Sequence, residues 1–95
     1  MSVTVEYSGA LGNKLGRRCA ELEIAEPCTV AMLLQMLRTN YPDLDAILSA
    51  TPALGSGMPL CAFVVNGRFV PANRAGATLL HDGDRVALML LPAGG

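Results

Sequence analysis

The chain has 95 residues, 52% of them hydrophobic and 16% charged, with a formal net charge of -1. That length holds one domain with one small core and excludes an active-site cleft between domains. The composition excludes intrinsic disorder, and the near-zero charge argues against nucleic acid or an anionic membrane as the main partner. One question follows from the apolar surplus: whether all of it is core or part of it faces a partner.

Val3-Thr4-Val5-Glu6-Tyr7 alternates apolar and polar residues, the pattern of a half-buried strand. Gly9, Gly12, Asn13 and Gly16 mark a long turn carrying Lys14, Arg17 and Arg18. A second alternation follows, with Ala20, Leu22 and Ile24 on one face and Cys19, Glu21 and Glu23 on the other. Two such strands joined by a glycine-rich loop predict an antiparallel hairpin. The period then changes. Val30, Leu33, Leu34 and Leu37 form the stripe of an amphipathic helix, with Thr29 placed to cap it. Asn40-Tyr41-Pro42 stops that helix, and Asp43 starts a short second helical piece holding Leu44, Ile47 and Leu48.

Residues 49–60 read as a connecting loop, punctuated by proline and glycine. Cys61 to Val65 is a short apolar strand, and Asn66-Gly67 favours a type I′ turn into the short strand Arg68-Phe69-Val70. A polar loop leads through Leu79 and Leu80 to a tight turn, His81-Asp82-Gly83-Asp84. Arg85 to Leu91 is the last strand. One helix covering one mixed sheet is the economical packing of this order, an α+β β-grasp (ubiquitin-like) roll. The domain is placed at residues 1–91, with 92–95 as a flexible Gly-Gly tail.

Self-contained catalysis finds little support. No nucleophile-and-base arrangement, phosphate loop or zinc-protease motif occurs. His81, Asp82 and Asp84 fall in a predicted turn, where a structural role is expected rather than catalysis or metal binding. Cys19, Cys28 and Cys61 are widely spaced and form neither a closed disulfide framework nor a zinc pattern. They are expected to be reduced thiols in the cytoplasm. The N-terminal residues do not read as a signal peptide, and no apolar run reaches membrane-span length.

The last two residues, Gly94 and Gly95, follow an apolar strand and Pro92. A carboxylate presented on glycines can thread a narrow site of another enzyme, because glycine lacks the Cβ that clashes there. Pro92 restricts the base of such a tail. Asp82-Gly83-Asp84-Arg85-Val86-Ala87-Leu88 followed by Gly94-Gly95 resembles the bacterial sulfur-carrier family, which includes the molybdopterin synthase small subunit and the thiamine sulfur carrier. Val3 to Tyr7, the Thr29-to-Leu37 helix and the Val65-Asn66-Gly67 turn extend the resemblance over nearly the whole chain.

The resemblance implies a carrier rather than an enzyme. Gly95 would be the acyl-adenylate and thiocarboxylate site, and Gly94 would thread with it. An adenylating enzyme of the ubiquitin-activating type would use ATP; the carrier itself binds no cofactor or metal. A large molybdopterin synthase subunit would be the sulfur acceptor, and neither nucleic acid nor membrane would be a partner. Carriers for thiamine, cysteine or a siderophore or other natural product are the other pathways, and a ubiquitin-like protein modifier or a plain interaction module are rival classes.

The last strand is apolar on both faces. The resemblance places Val86, Leu88 and Leu90 inward, leaving Ala87, Met89 and Leu91, with Pro92 and Ala93, as the expected partner-binding set.

Overall fold

The computed structural model describes residues 1–50 and 61–90. In chain order it contains β1 (Ser2–Tyr7), α1 (Ala10–Leu15), β2 (Cys19–Glu23), α2 (Val30–Asn40), α3 (Pro42–Ala50), β3 (Cys61–Val65), β4 (Arg68–Val70), a 3-10 helix (Ala72–Ala77) and β5 (Arg85–Leu90). The strands form one sheet in the order β2-β1-β5-β3-β4. Among the described strands only β1 and β5 pair in parallel, with Val5 opposite Val86 and Tyr7 opposite Leu88; the other pairs are antiparallel. This mixed sheet with its helices is the β-grasp roll that the element order predicts.

Alternation in β1 sends Val3, Val5 and Tyr7 inward, where they meet the α2 stripe of Val30, Leu33, Leu34 and Leu37. Val86 and Leu88 of β5 and Phe63 of β3 join the same core. Each such side chain taken from water contributes about 1.5–3 kcal/mol, so the stripe and the central strands are the main source of stability. Helix α2 starts where the sequence places it. The Thr29 hydroxyl accepts from the Met32 N–H at 3.1 Å, satisfying one first-turn donor.

The turn between β3 and β4 also follows its residues. Asn66 and Gly67 both take positive φ, 51° and 83°, the requirement of a two-residue hairpin turn whose twist matches the strands. Asp82 and Asp84 are structural here. Asp82 accepts from the Ser2 N–H at 2.6 Å, while Asp84 accepts from the His81 N–H at 2.7 Å and from the Asn66 side-chain amide at 2.8 Å.

Three local expectations are corrected. The segment read as a long turn after β1 contains α1, whose Leu11 is fully buried. Glycines disguise it: Gly12 sits inside the helix because a Cβ there would lie 2.6 Å from the Tyr7 carbonyl oxygen. The polar loop before Leu79 contains the 3-10 helix, anchored by buried Ala75. Ser49 and Ala50, read as loop, belong to α3; residues 51–60 lie outside the described residues.

Candidate functional site

The register of the sheet defines its second face. Cys19, Glu6, Ala87, Val64 and Phe69 form one row from β2 to β4, and Met89 pairs with Ala62 in the next row towards the end of β5. The face is therefore polar at the β1–β2 side and apolar from β5 to β4. Phe69 is 58% exposed, Ala87, Met89 and Val64 are half-buried, and Ala62 is buried. An exposed phenylalanine beside half-buried aliphatic groups is the kind of patch that a partner covers.

Of the residues expected to bind a partner, Ala87 and Met89 lie on this second face and Val86 and Leu88 point into the core. Leu90 is half-buried and packs against the core. Leu91, Pro92, Ala93, Gly94 and Gly95 lie outside the described residues. Composition and alternation did not single out Phe69 or Val64. The signal was nevertheless present: a two-residue Asn-Gly turn pairs Val65 with Arg68 and Val64 with Phe69, which sets Phe69 on the face opposite Phe63 and Val70.

Charge is concentrated at the β1–β2 side. Arg85 binds Glu6 across the β1–β5 pair, with its Nε 3.1 Å from the carboxylate. Arg17 lies in a more enclosed setting. Its guanidinium donates two bonds to Asp43 and lies over two rings, its Cζ 5.5 Å from the Tyr7 ring centre and 5.1 Å from that of Tyr41. The Arg17 hydrogen bond holds the Asp43 carboxyl below the usual carboxylate range. Arg38 makes a second link, from α2 to α3, donating through Nε to Asp45 at 2.7 Å and through Nη2 to the Ser49 hydroxyl at 3.1 Å.

The cysteines separate by burial. Cys28 and Cys61 are buried free thiols whose pKa is pushed up by desolvation; Cys19 is exposed on β2. Among the described residues, no group of three His, Cys, Asp or Glu side chains is placed to hold a metal ion. None of the described helices is long and apolar enough to cross a membrane.

The family model for the ThiS family matches residues 5–95, and the chain belongs to that family. No curated protein matches the sequence. Among solved structures, the chain is similar to SAMP1 from Haloferax volcanii, at 21% identity over all of both chains with a TM-score of 0.75. It is similar to Urm1 from Trypanosoma brucei, at 25% identity over 99% of this chain and 95% of that one, with a TM-score of 0.62. It also resembles a chain of the complex of subunits 1 and 2 of molybdopterin-converting factor from Helicobacter pylori 26695, at 20% identity over all of both chains and a TM-score of 0.62. These relationships place the chain in the ThiS family with the ubiquitin-like β-grasp fold.

Proposed function

We propose that this protein is a sulfur carrier, not an enzyme by itself, and that the carboxylate of Gly95 is its reacting group. The observation that carries the reading is the ThiS-family match, which runs through Gly94 and Gly95. In the proposed sequence, a Gly95 carboxylate oxygen attacks the α-phosphate of ATP in an adenylating partner, and pyrophosphate leaves. Hydrosulfide then attacks the acyl carbon, the bond to AMP breaks, and AMP leaves with loss of the sulfur-bound proton to give the thiocarboxylate. Gly94 passes through the partner's channel because it has no side chain to clash there.

Ala87 and Met89, with Leu91, Pro92 and Ala93, form the partner contact in this reading. Phe69 and Val64 extend the contact across the sheet face. Met89 suits a surface that meets more than one enzyme in turn, because its unbranched side chain repacks readily. The acceptor in the reading is a large molybdopterin synthase subunit. Its support is the likeness to the two-subunit converting factor from Helicobacter pylori.

The test is the intact mass of the chain after incubation with ATP, an adenylating enzyme and a sulfur donor. A gain of about 16 Da, sulfur for oxygen, is expected. Lysine-linked adducts in cell extract would assign the activated carboxylate to protein modification instead. A Gly94-Gly95 deletion that still supports sulfur transfer would overturn both readings.

A further inference from the structure

Among the described strands the sheet has two edges, β2 and β4. The β4 edge is three residues long and is followed by Pro71, so it offers a partner little. By contrast, β2 pairs regularly over its whole length and contains no proline, glycine or lysine. Its inner side is fixed by the ladder to β1. The Tyr7 N–H donates to the Arg18 carbonyl at 2.7 Å, and at the other end Met1 and Ile24 exchange two bonds of 2.9 Å. Facing residues in an antiparallel pair alternate between bonded and unbonded. The pairs Val5 with Ala20 and Val3 with Leu22 therefore use the backbone groups of Ala20 and Leu22. Those of Cys19, Glu21 and Glu23 point away from β1, to the open edge.

Backbone groups aligned in this way are a template for a further strand. The side chains define what that strand must carry. Glu21 and Glu23 are exposed on the outer face. Glu21 has no ion pair among the described residues, and Glu23 has only the terminal ammonium at 4.0 Å. On the inner face, Leu22 is half-buried and packs against the core, as does Ala20. A strand laid along this edge thus meets carboxylates on one face and aliphatic groups on the other. A second copy of the chain is a poor occupant. The self-pairing that engages all three outward residues puts Glu21 opposite Glu21, and like charges directly opposed destabilise a strand pair.

We propose that the β2 edge receives an extended segment of a protein partner in which Lys or Arg alternates with aliphatic residues. The segment's backbone pairs with the free groups of Cys19, Glu21 and Glu23. Its basic side chains stand across from Glu21 and Glu23, and its aliphatic ones cover Leu22. Arg18, exposed at the start of the edge, confines the basic positions to the glutamate half. The β2 edge is on the opposite side of the sheet from β4 and Phe69. A segment held there leaves Phe69, Val64 and Met89 free and needs no activation of Gly95.

The test is an NMR measurement of amide shifts and hydrogen exchange on the isotope-labelled full chain. The probe is the peptide acetyl-Lys-Val-Lys-Val-Lys-amide, with its glutamate counterpart as control. In the free chain the amides of Cys19, Glu21 and Glu23 are expected to exchange faster than those of Ala20 and Leu22. The lysine peptide is expected to shift and slow the three outward amides; the glutamate peptide is not. Glu21→Gln, which keeps the edge donor, is expected to weaken binding about threefold. Glu21→Pro removes both charge and donor but no bond to β1, and is expected to weaken it about tenfold. Shifts without slowed exchange would mean ion pairing alone and would overturn the proposal. So would equal effects of the two peptides, changes confined to another part of the surface, or no change with either. Outward amides already slow in the free chain, together with a dimer in sedimentation, would give the edge to a second copy and overturn it as well.

Discussion

Arg17 and Asp43, 26 residues apart in sequence, are joined by two hydrogen bonds of 2.8 and 3.2 Å. The link ties the segment between α1 and β2 to the start of α3, and the Tyr7 and Tyr41 rings flank the guanidinium. Replacing Arg17 by Met keeps an apolar stem but removes both ring contacts and both hydrogen bonds to Asp43, a loss of about 1 kcal/mol. That corresponds to a fall in Tm of about 4–8 °C in a domain of this size, read by thermal melting. Lysine is not expected to restore it, because an ammonium cannot reproduce the planar two-bond contact.

The same pair sets a pH dependence. Arg17 lowers the folded-state pKa of Asp43, so the contribution is present above the unfolded carboxyl value of about 3.9. It is lost as pH falls through the lowered folded value. Wild type is therefore expected to melt higher than Asp43→Asn at neutral pH, and the two melting curves are expected to converge in strong acid. A difference that persisted unchanged into strong acid would exclude an ionic contribution.

Gly12 offers a sharper test of α1. A Cβ at this position would lie 2.6 Å from the Tyr7 carbonyl oxygen, whereas one at Gly76 would meet nothing within 4 Å. Gly12→Ala is expected to cost about 1–3 kcal/mol through forced backbone movement. Gly76→Ala is expected to stay within about 0.5 kcal/mol of wild type. Urea unfolding of the two variants reads the difference.

The contrast between these glycines also explains what was legible in the sequence. Helix α2 announced itself because Val30, Leu33, Leu34 and Leu37 repeat at helical spacing and Thr29 caps them. The β3–β4 turn did so because Asn66-Gly67 is chemically suited to positive φ. Helix α1 stayed hidden because Gly12 interrupts it and Gly9 and Gly16 flank it, the local signals of a turn. Its stability comes from burying Leu11, a tertiary effect without a local period. The Tyr7–Arg17–Tyr41–Asp43 cluster was hidden for a related reason: its members come from four different parts of the fold. Glycine chemistry and family resemblance singled out Gly94 and Gly95, but a row of side chains across the sheet, such as Ala87, Val64 and Phe69, needs the strand register.

In the proposed function, the two faces of β5 separate stability from binding. Leu88 is buried in the core, and Leu88→Ala is expected to cost about 2–5 kcal/mol. Met89 lies half-buried on the opposite face. Met89→Asp is expected to weaken partner binding, measured by calorimetry against the adenylating enzyme, with a smaller effect on Tm than Leu88→Ala. If Met89→Asp unfolds the chain, Met89 belongs to the core and the assignment of faces fails.

The thiols provide an independent check of the packing. Cys19 is exposed, whereas burial raises the pKa of Cys28 and Cys61 and so lowers their thiolate fraction at neutral pH. One rapid alkylation by iodoacetamide is expected in the native protein, at Cys19, with the other two sites labelled only in denaturant. Rapid labelling of all three would contradict the core described for Cys28 and Cys61.

The reaction at Gly95 is the centre of the functional account, and fragment-level mass spectrometry of the activated chain tests it most directly. After treatment with ATP, an adenylating enzyme and a sulfur donor, the added mass is expected on the fragment ending in Gly95, as about 16 Da for sulfur replacing oxygen. A gain of about 32 Da on Cys19 instead, the mark of a persulfide, with an unchanged Gly95 fragment, would contradict the account.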